Sequence, residues 1–566
     1  MYLKVLIFFY FLFTGVIYAL PQSIEGFLKH STIAKKDVSI YIKEVGTNGS
    51  IIVSHNAQTA RTPASVIKVL STYASLLKLG FNYRFPTKFY TTGNLRNGIL
   101  HGDLIIKGFG DPTLNSKDLK AIVGKIRARG ITNITGHIVI DRSYFRVGTK
   151  DSSGFDEHPY SPYNAMPDAM MFNERVSTIC VTPNKNDISK KSADGSYTIS
   201  NKLQRVNKPC KGRYSWPGIK IDKTKVMPNI LFQGKISQRC GTRNICKVVT
   251  KPYLSFFYAL KEALKKEGIV VTGNMRLRKV PQSASILFTH YSRSLEEIVS
   301  KTAKKSNNLY ARHLLLTLGA KIYGAPATVD KGRRAVENIL KRQDALGMDT
   351  LQIDNGSGLS RTAKLSAKTL AKMFDHAYEH YGQRWMNTLS IAGVDGTIKK
   401  RFRGTIVKRR AWMKTGTLKR VKNIGGYVKS KMGRLYTVVI LTHTTKGHWK
   451  AAQLQNDIIK WVVNYKAKSP VKKVYSKQGK SSLWSMQTQA PFLGNGTKYY
   501  VQAGSFVSPP TKAYFLQIER LGLPYKMRHL GKYKVLIGAY GQENDARAAL
   551  EKVRKHLNAG AFIVKL

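Results

Sequence analysis

Acidic residues are scarce in this chain: 32 Asp+Glu stand against 94 Lys+Arg, a formal net charge of +62 over 566 residues. So few carboxylates argue against a calcium protein or a large metal–carboxylate cluster. Cysteine is scarcer still. The four cysteines, Cys180, Cys210, Cys240 and Cys246, come with no CxxC pair or paired histidine, which excludes the usual zinc sites. Long apolar runs are missing beyond the N-terminus, so no later segment reaches the roughly 20 residues of a membrane-spanning helix. No RNA- or DNA-binding signature is present. What is there is ample apolar material, 42% hydrophobic and 10% aromatic, enough for sizeable cores and too much for wholesale disorder. At about 100–200 residues per unit the length implies several domains. The basic charge suits a polyanionic partner: nucleic acid, a membrane surface or an anionic wall polymer.

The first residues narrow that choice. Lys4 precedes the apolar run Val5–Phe13, and Thr14–Ala19 supplies small residues for a peptidase. This reads as a secretory signal over 1–19, with an uncleaved anchor as the alternative. An exported, periplasmic protein does not meet nucleic acid, so the charge points to envelope polymers. Four cysteines in an exported chain fit one or two disulfides. Cys240 and Cys246 are near enough in sequence to close a small loop, but the pairing stays open.

Along the chain, Val38–Ile42 and Ile51–Val53 flank Asn48-Gly49 and predict a hairpin. From Pro63 the apolar residues Val66, Val69, Leu70, Tyr73, Leu76 and Leu77 recur at helical spacing until Gly80. Residues 85–289 read as inserted β-rich domains, with strands such as Ile99–Lys107 and Ile134–Ile140 and one helix near Leu119–Arg129. Helices return at Ser294–Gly319, broken at Ser306-Asn307-Asn308, and near Ala367–His380. A three-strand meander (Ala411–Thr417, Asn423–Lys429, Leu435–Leu441) and a helix over Leu454–Val463 close this part. A Lys/Ser/Gln/Gly-rich linker covers 466–496, and 497–566 alternates strand, helix, strand, strand, helix, strand.

Three short motifs carry chemistry. Ser65 and Lys68 lie one turn apart on the helix opened by Pro63. A serine hydroxyl needs a base to become a nucleophile, and a lysine whose pKa is lowered by burial or a nearby cation can serve. Ser306-Asn307-Asn308 sits on a helix break, where a hydroxyl and a carboxamide can reach into a cleft. Lys414-Thr415-Gly416-Thr417 opens the meander; its cation can keep Lys68 neutral and attract a carboxylate, its threonines can hydrogen-bond that carboxylate, and Gly416 leaves room for a substrate backbone. The backbone N–H groups of Ser65 and Thr417 are candidates for an oxyanion hole. A serine three residues before a lysine means little by itself, since Ser75/Lys78 and Ser469/Lys472 repeat it. The order of all three motifs, on helix start, helix break and strand, is what carries weight.

That order resembles the penicillin-binding proteins and serine β-lactamases, whose motifs are Ser-x-x-Lys, Ser-x-Asn and Lys-Thr-Gly. The long stretch between Ser65 and Ser306 resembles one subgroup, the class C low-molecular-mass penicillin-binding proteins, which are D-Ala-D-Ala carboxypeptidases and endopeptidases of serine peptidase family S13. Gly108–Leu114, Asp141–Phe145 and Asp354–Arg361 are similar to that family too. The resemblance implies an α/β and α+β multidomain fold: a β-lactamase-like transpeptidase domain over 20–84 and 290–465, interrupted by the insert. It implies Ser65 as acylated nucleophile, Lys68 as base, Ser306 as proton relay, Asn308 as peptide holder, and Lys414, Thr415, Gly416 and Thr417 around the terminal carboxylate. The family often has aspartate where Asn307 stands; that position points away from substrate, so little cost is expected. Asp156 or Glu157 would greet a diaminopimelate amine, and Arg361 would line the cleft or form a surface ion pair. No counterpart of the class A β-lactamase glutamate is visible, so β-lactams are expected to acylate and stay.

The C-terminal stretches Val501–Phe506 and Val535–Tyr540 resemble the SPOR domain, an α+β module that binds peptide-free glycan, often at the division site. Gln502, Ser505 and Phe506 are the glycan-binding candidates. The expectation is therefore an exported, septal DD-peptidase without metal or organic cofactor. Its partners would be peptidoglycan stem peptides and glycan strands, with β-lactams as inhibitors and the cell-division machinery nearby. The rivals are a silent wall-binding scaffold, a β-lactamase and, weakest, a basic nucleic-acid binder.

Overall fold

The computed structural model describes residues 20–467 and 499–565, apart from 47–48, 149, 151, 225–226, 348–350, 507–509, 522, 524, 531 and 541. The predicted signal segment and nearly all of the predicted linker lie outside the described residues. Two compact units result, one of residues up to 374 with 386–464, the other of 375–385 with 465–566.

In the large unit the alternating strands at the two ends of the chain segment meet in one antiparallel sheet. Its order is Ile51–His55, Val38–Glu44, Leu435–His443, Val421–Lys429, Ala411–Leu418 and Ser390–Ile391. The expected hairpin and meander are both there, and the register sets Ile40 against Ile440. Val421–Lys429 is buried at nearly every position, the mark of a strand covered on both faces. Helices Gln22–Ser31 and Ala451–Asn464 pack together, and the 3-10 turn Ala64–Ile67 lies on the strands Ala411–Leu418 and Val421–Lys429. Helix Asn308–Tyr323 is mostly apolar and is buried along Leu309–Ala320, packed by Lys68–Leu79, Leu295–Lys304 and Val329–Arg342.

All named strands from Pro86 to Tyr291 pair among themselves. They form a five-stranded sheet (Met275–Leu277, Ile138–Asp141, Leu104–Gly108, Pro86–Thr91, Ser285–Tyr291), a four-stranded one, and two three-stranded sheets with their own core around Ile179, Val181, Phe232 and Ile245. Two expected strands are each cut in half. Ile99–His101 and Leu104–Gly108 enter different sheets, as do Asn133–Ile134 and Ile138–Asp141. The breaks coincide where the chains touch: a side chain at Gly136 would meet the Gly102 carbonyl oxygen at 2.3 Å. The insert also holds a second long helix, Pro252–Lys266, which the sequence reading missed; proline stands at its first position and Phe256, Leu260 and Leu264 bury its apolar face. Cys210 and Cys240 form the disulfide, while Cys180 and Cys246 are free thiols, so the small Cys240–Cys246 loop is not made. Cys246 stands opposite Thr178 on a neighbouring strand, which sets it away from Cys240.

The small unit repeats the expected order of elements. Its antiparallel sheet runs Tyr525–Leu530, Lys532–Tyr540, Tyr499–Phe506, Phe562–Lys565, with helices Lys512–Arg520 and Glu543–His556. Val501, Ala503, Val535 and Ile537 pack against Ile518, Ala549 and Val553.

Candidate active site

The nucleophile motif is tighter than a plain helix start. Ala64–Ile67 is a 3-10 turn, and the α-helix begins at Lys68. Ala64 has a φ of 48°, an unfavourable value for a residue with a side chain, so the turn needs outside support. Asn423 provides it: its amide nitrogen donates to Thr62 O and Pro63 O, each at 2.9 Å, while its oxygen accepts from Thr442 N–H at 2.9 Å. The expected room at Gly416 is taken by this same turn. A side chain there would meet Pro63 O at 2.8 Å and Ser65 N at 3.0 Å, so the glycine lets the strand touch the nucleophile turn rather than admit substrate.

Lys68 Nζ lies 2.7 Å from Ser65 Oγ and also reaches the Ser357 carbonyl oxygen. Lys68 is wholly buried. Burial, then Lys414 and Arg312, drive its pKa well below the ordinary lysine value. Burial alone brings Lys414 down to about 7. Arg312 is itself lowered to about 10 by burial and donates to Ala165 O at 2.8 Å. Lys414 donates to Ser306 Oγ at 2.9 Å and to Thr415 O at 2.7 Å. The three motifs therefore lie around two buried lysines, Lys68 beside Ser65 and Lys414 beside Ser306.

Ser306 occupies the helix break with a φ of 53°. Asn307 caps the following helix, accepting from Tyr310 N–H at 3.0 Å. Asn308 donates to Tyr163 O at 3.0 Å, a contact with the insert. Thr415 Oγ1 donates to Thr397 Oγ1 at 2.8 Å, and Thr417 is exposed. Of the two acidic candidates, Asp156 is tied to this wall. It accepts from Tyr163 Oη at 2.9 Å, Asn164 Nδ2 at 2.7 Å and His158 N–H at 3.0 Å. Partial desolvation opposes its charge, but these hydrogen bonds win and hold its carboxyl below the usual range. Glu157 is exposed beside it. Arg361 stacks over the Phe155 ring, 5.2 Å from its centre. In the small unit Ser505 is exposed, Gln502 half-buried, and Phe506 packs edge-on against Tyr514 at 5.0 Å.

Sequence reading missed Ser357, Thr397, Arg312 and Asn423. A lone asparagine inside the apolar strand Val421–Lys429 was a usable signal for the last, and Ser357 lies in the family-like stretch Asp354–Arg361; Thr397 and Arg312 carried none.

The chain belongs to the D-Ala-D-Ala carboxypeptidase 3 (S13) family, whose model matches residues 20–465; a SPOR domain matches 495–565. It is 29% identical over 439 residues to a D-alanyl-D-alanine carboxypeptidase of Actinomadura sp., covering 74% of this chain and 79% of that one. It is 28% identical over 414 residues to D-alanyl-D-alanine carboxypeptidase DacB of Haemophilus influenzae, 70% of this chain and 83% of that one. The crystal structure of penicillin binding protein 4 (dacB) from Haemophilus influenzae shares the fold, with a TM-score of 0.66 at 24% identity over 78% of this chain and 99% of that one.

Proposed function

We propose that the protein is a serine-type D-Ala-D-Ala carboxypeptidase and DD-endopeptidase acting on peptidoglycan stem peptides. The observation that carries this reading is the 2.7 Å approach of Ser65 Oγ to a buried Lys68 whose neutral form is favoured by its surroundings. Lys68 takes the hydroxyl proton as Oγ attacks the carbonyl of the penultimate D-alanine. The Ser65 and Thr417 N–H groups face the developing oxyanion. Ser306, hydrogen-bonded to Lys414, passes a proton to the leaving amine, and water later releases the acyl group from Ser65. Lys414, Thr415 and Thr417 bind the terminal carboxylate, Asn308 holds the peptide, and Asp156 meets the diaminopimelate amine. A β-lactam follows the same first step and stays on Ser65. The SPOR domain carries the enzyme to peptide-free glycan, and the signal segment exports it to the periplasm, near the dividing septum.

The test is the intact mass of the purified chain after brief exposure to benzylpenicillin, with Ser65→Ala as control. A lasting adduct on the wild-type chain alone is the expected result. No adduct and intact drug would mean a silent scaffold; hydrolysed drug without adduct would mean a β-lactamase.

A further inference from the structure

Glu174 belongs to none of the motifs. It sits in the insert, on the turn between buried Phe172 and the strand Ser177–Thr182. Asn173, Glu174 and Arg175 have φ values of 46°, 53° and 58°, three successive non-glycine residues in the left-handed region. Each is unfavourable, and such a run persists only where its surroundings hold it. Asn173 N–H donates to Leu114 O at 3.0 Å, its side-chain oxygen accepts from Ser116 N–H at 3.0 Å, and the Arg175 guanidinium donates to Met166 O at 2.9 Å.

The fixed turn delivers the Glu174 carboxylate to the second motif. Oε2 accepts from Asn307 Nδ2 at 3.0 Å and Oε1 from Tyr310 Oη at 3.2 Å, while the Lys301 ammonium pairs with Oε1. Lys301 belongs to the helix before Ser306 and Tyr310 to the helix after Asn308. One carboxylate from the insert thus spans the break that carries both functional side chains.

The chemistry at position 307 is then specific. Asn307 Oδ1 accepts the Tyr310 N–H cap while Nδ2 donates to Glu174. A carboxamide does both at once, and an ionised carboxylate cannot. Aspartate would still cap the helix, but it has no proton to donate and would set a second negative charge against Glu174, with Lys301 shared between them. We propose that Glu174 is a positioning residue for Ser306 and Asn308, and that its presence is why this chain carries asparagine rather than aspartate in the middle of the second motif. This rests on the serine-peptidase reading above.

The test is a double-mutant cycle on the full chain: wild type, E174Q, N307D and E174Q/N307D. Acylation by benzylpenicillin, followed against drug concentration, separates the drug's dissociation constant from the acylation rate constant; thermal midpoints are measured alongside. N307D is expected to slow the rate constant roughly tenfold or more, because small displacements of reacting groups are that costly, with the dissociation constant little changed. E174Q, which keeps an acceptor oxygen, is expected to stay within about threefold of wild type, and E174Q/N307D to recover most of the loss. A wild-type rate for N307D, or a double mutant as slow as N307D, would overturn the proposal. Absence of acylation in wild type would instead overturn the serine-peptidase reading, and the same cycle in thermal midpoints would still decide whether residues 174 and 307 are coupled. Should N307D not fold, N307A, E174A and their double serve, with additive effects as the overturning result.

Discussion

The two walls of the cleft are supported from different places. The Ser65 wall is held within the core: Asn423 anchors Thr62 and Pro63, and Gly416 lets the strand Ala411–Leu418 touch the turn. The Ser306 wall leans on the insert, through Asn308 to Tyr163 and Asn307 to Glu174. The first wall draws on elements that the sheet brings together and on the Ser357 segment, whose carbonyl meets Lys68. The second needs a stretch of about 200 residues packed against it. Damage to the core should therefore stop chemistry at Ser65, whereas damage inside the insert should matter where it reaches Tyr163, Glu174, Asp156 or the Ala165 carbonyl that holds Arg312.

The strongest way to test that division is Asn423→Ala. It removes the donor to the turn carbonyls of Thr62 and Pro63 and the acceptor of Thr442 N–H on the neighbouring strand, a loss of about 1–3 kcal/mol. It should lower the thermal midpoint and slow β-lactam acylation roughly tenfold, since the turn that aims Ser65 loses its anchor. Acylation at the wild-type rate would show that the Ser65 wall does not depend on Asn423.

The next effect is on pH dependence. Lys68 must be neutral to accept the serine proton, so activity falls in acid. Lys414, brought down to about 7 by burial, loses its charge above that value, so turnover of a peptide with a free C-terminal carboxylate should fall again as pH rises through about 7. A C-terminally amidated peptide should lack the alkaline fall. Stability moves the other way. Both lysines are held below their ordinary values, so between about 7 and roughly 10.4 the unfolded chain binds more protons and stability rises with pH. Lys414→Met should flatten part of that rise in thermal midpoints measured from pH 7 to 9.

The smallest effect on chemistry is expected from Cys210→Ser. Loss of the Cys210–Cys240 disulfide should cost ~2–4 kcal/mol in the insert's smaller subregion, read as an earlier unfolding transition. Acylation should stay within about twofold of wild type. A large loss of acylation would break the comparison, because it would make the far side of the insert part of the Ser306 wall.

Much of this was legible beforehand, for a local reason. Ser65 and Lys68 share one helical turn, Ser306 to Asn308 lie on one break, and Lys414 to Thr417 on one strand, so each motif is a contiguous string. The meander, the hairpin and the C-terminal order of elements follow from period-two and period-three-to-four patterns in the same way. What escaped was long-range. The halved strands at Gly102 and Gly136 depend on two loops meeting, and helix Pro252–Lys266 was overlooked among short strands. The Cys210–Cys240 pairing depends on how the insert's strands order themselves.

The sequence by itself determined which candidate motifs are present and in what order they occur, because residue type and helical or strand spacing are properties of short segments. Only the tertiary structure decided how they act together. Burial of Lys68 and Lys414 moves their protons, Asn423 and Gly416 aim Ser65, and Glu174, far from Asn307 in the chain, fixes the break beside it. Desolvation and hydrogen-bond geometry exist only once distant segments are packed, and no local pattern records them.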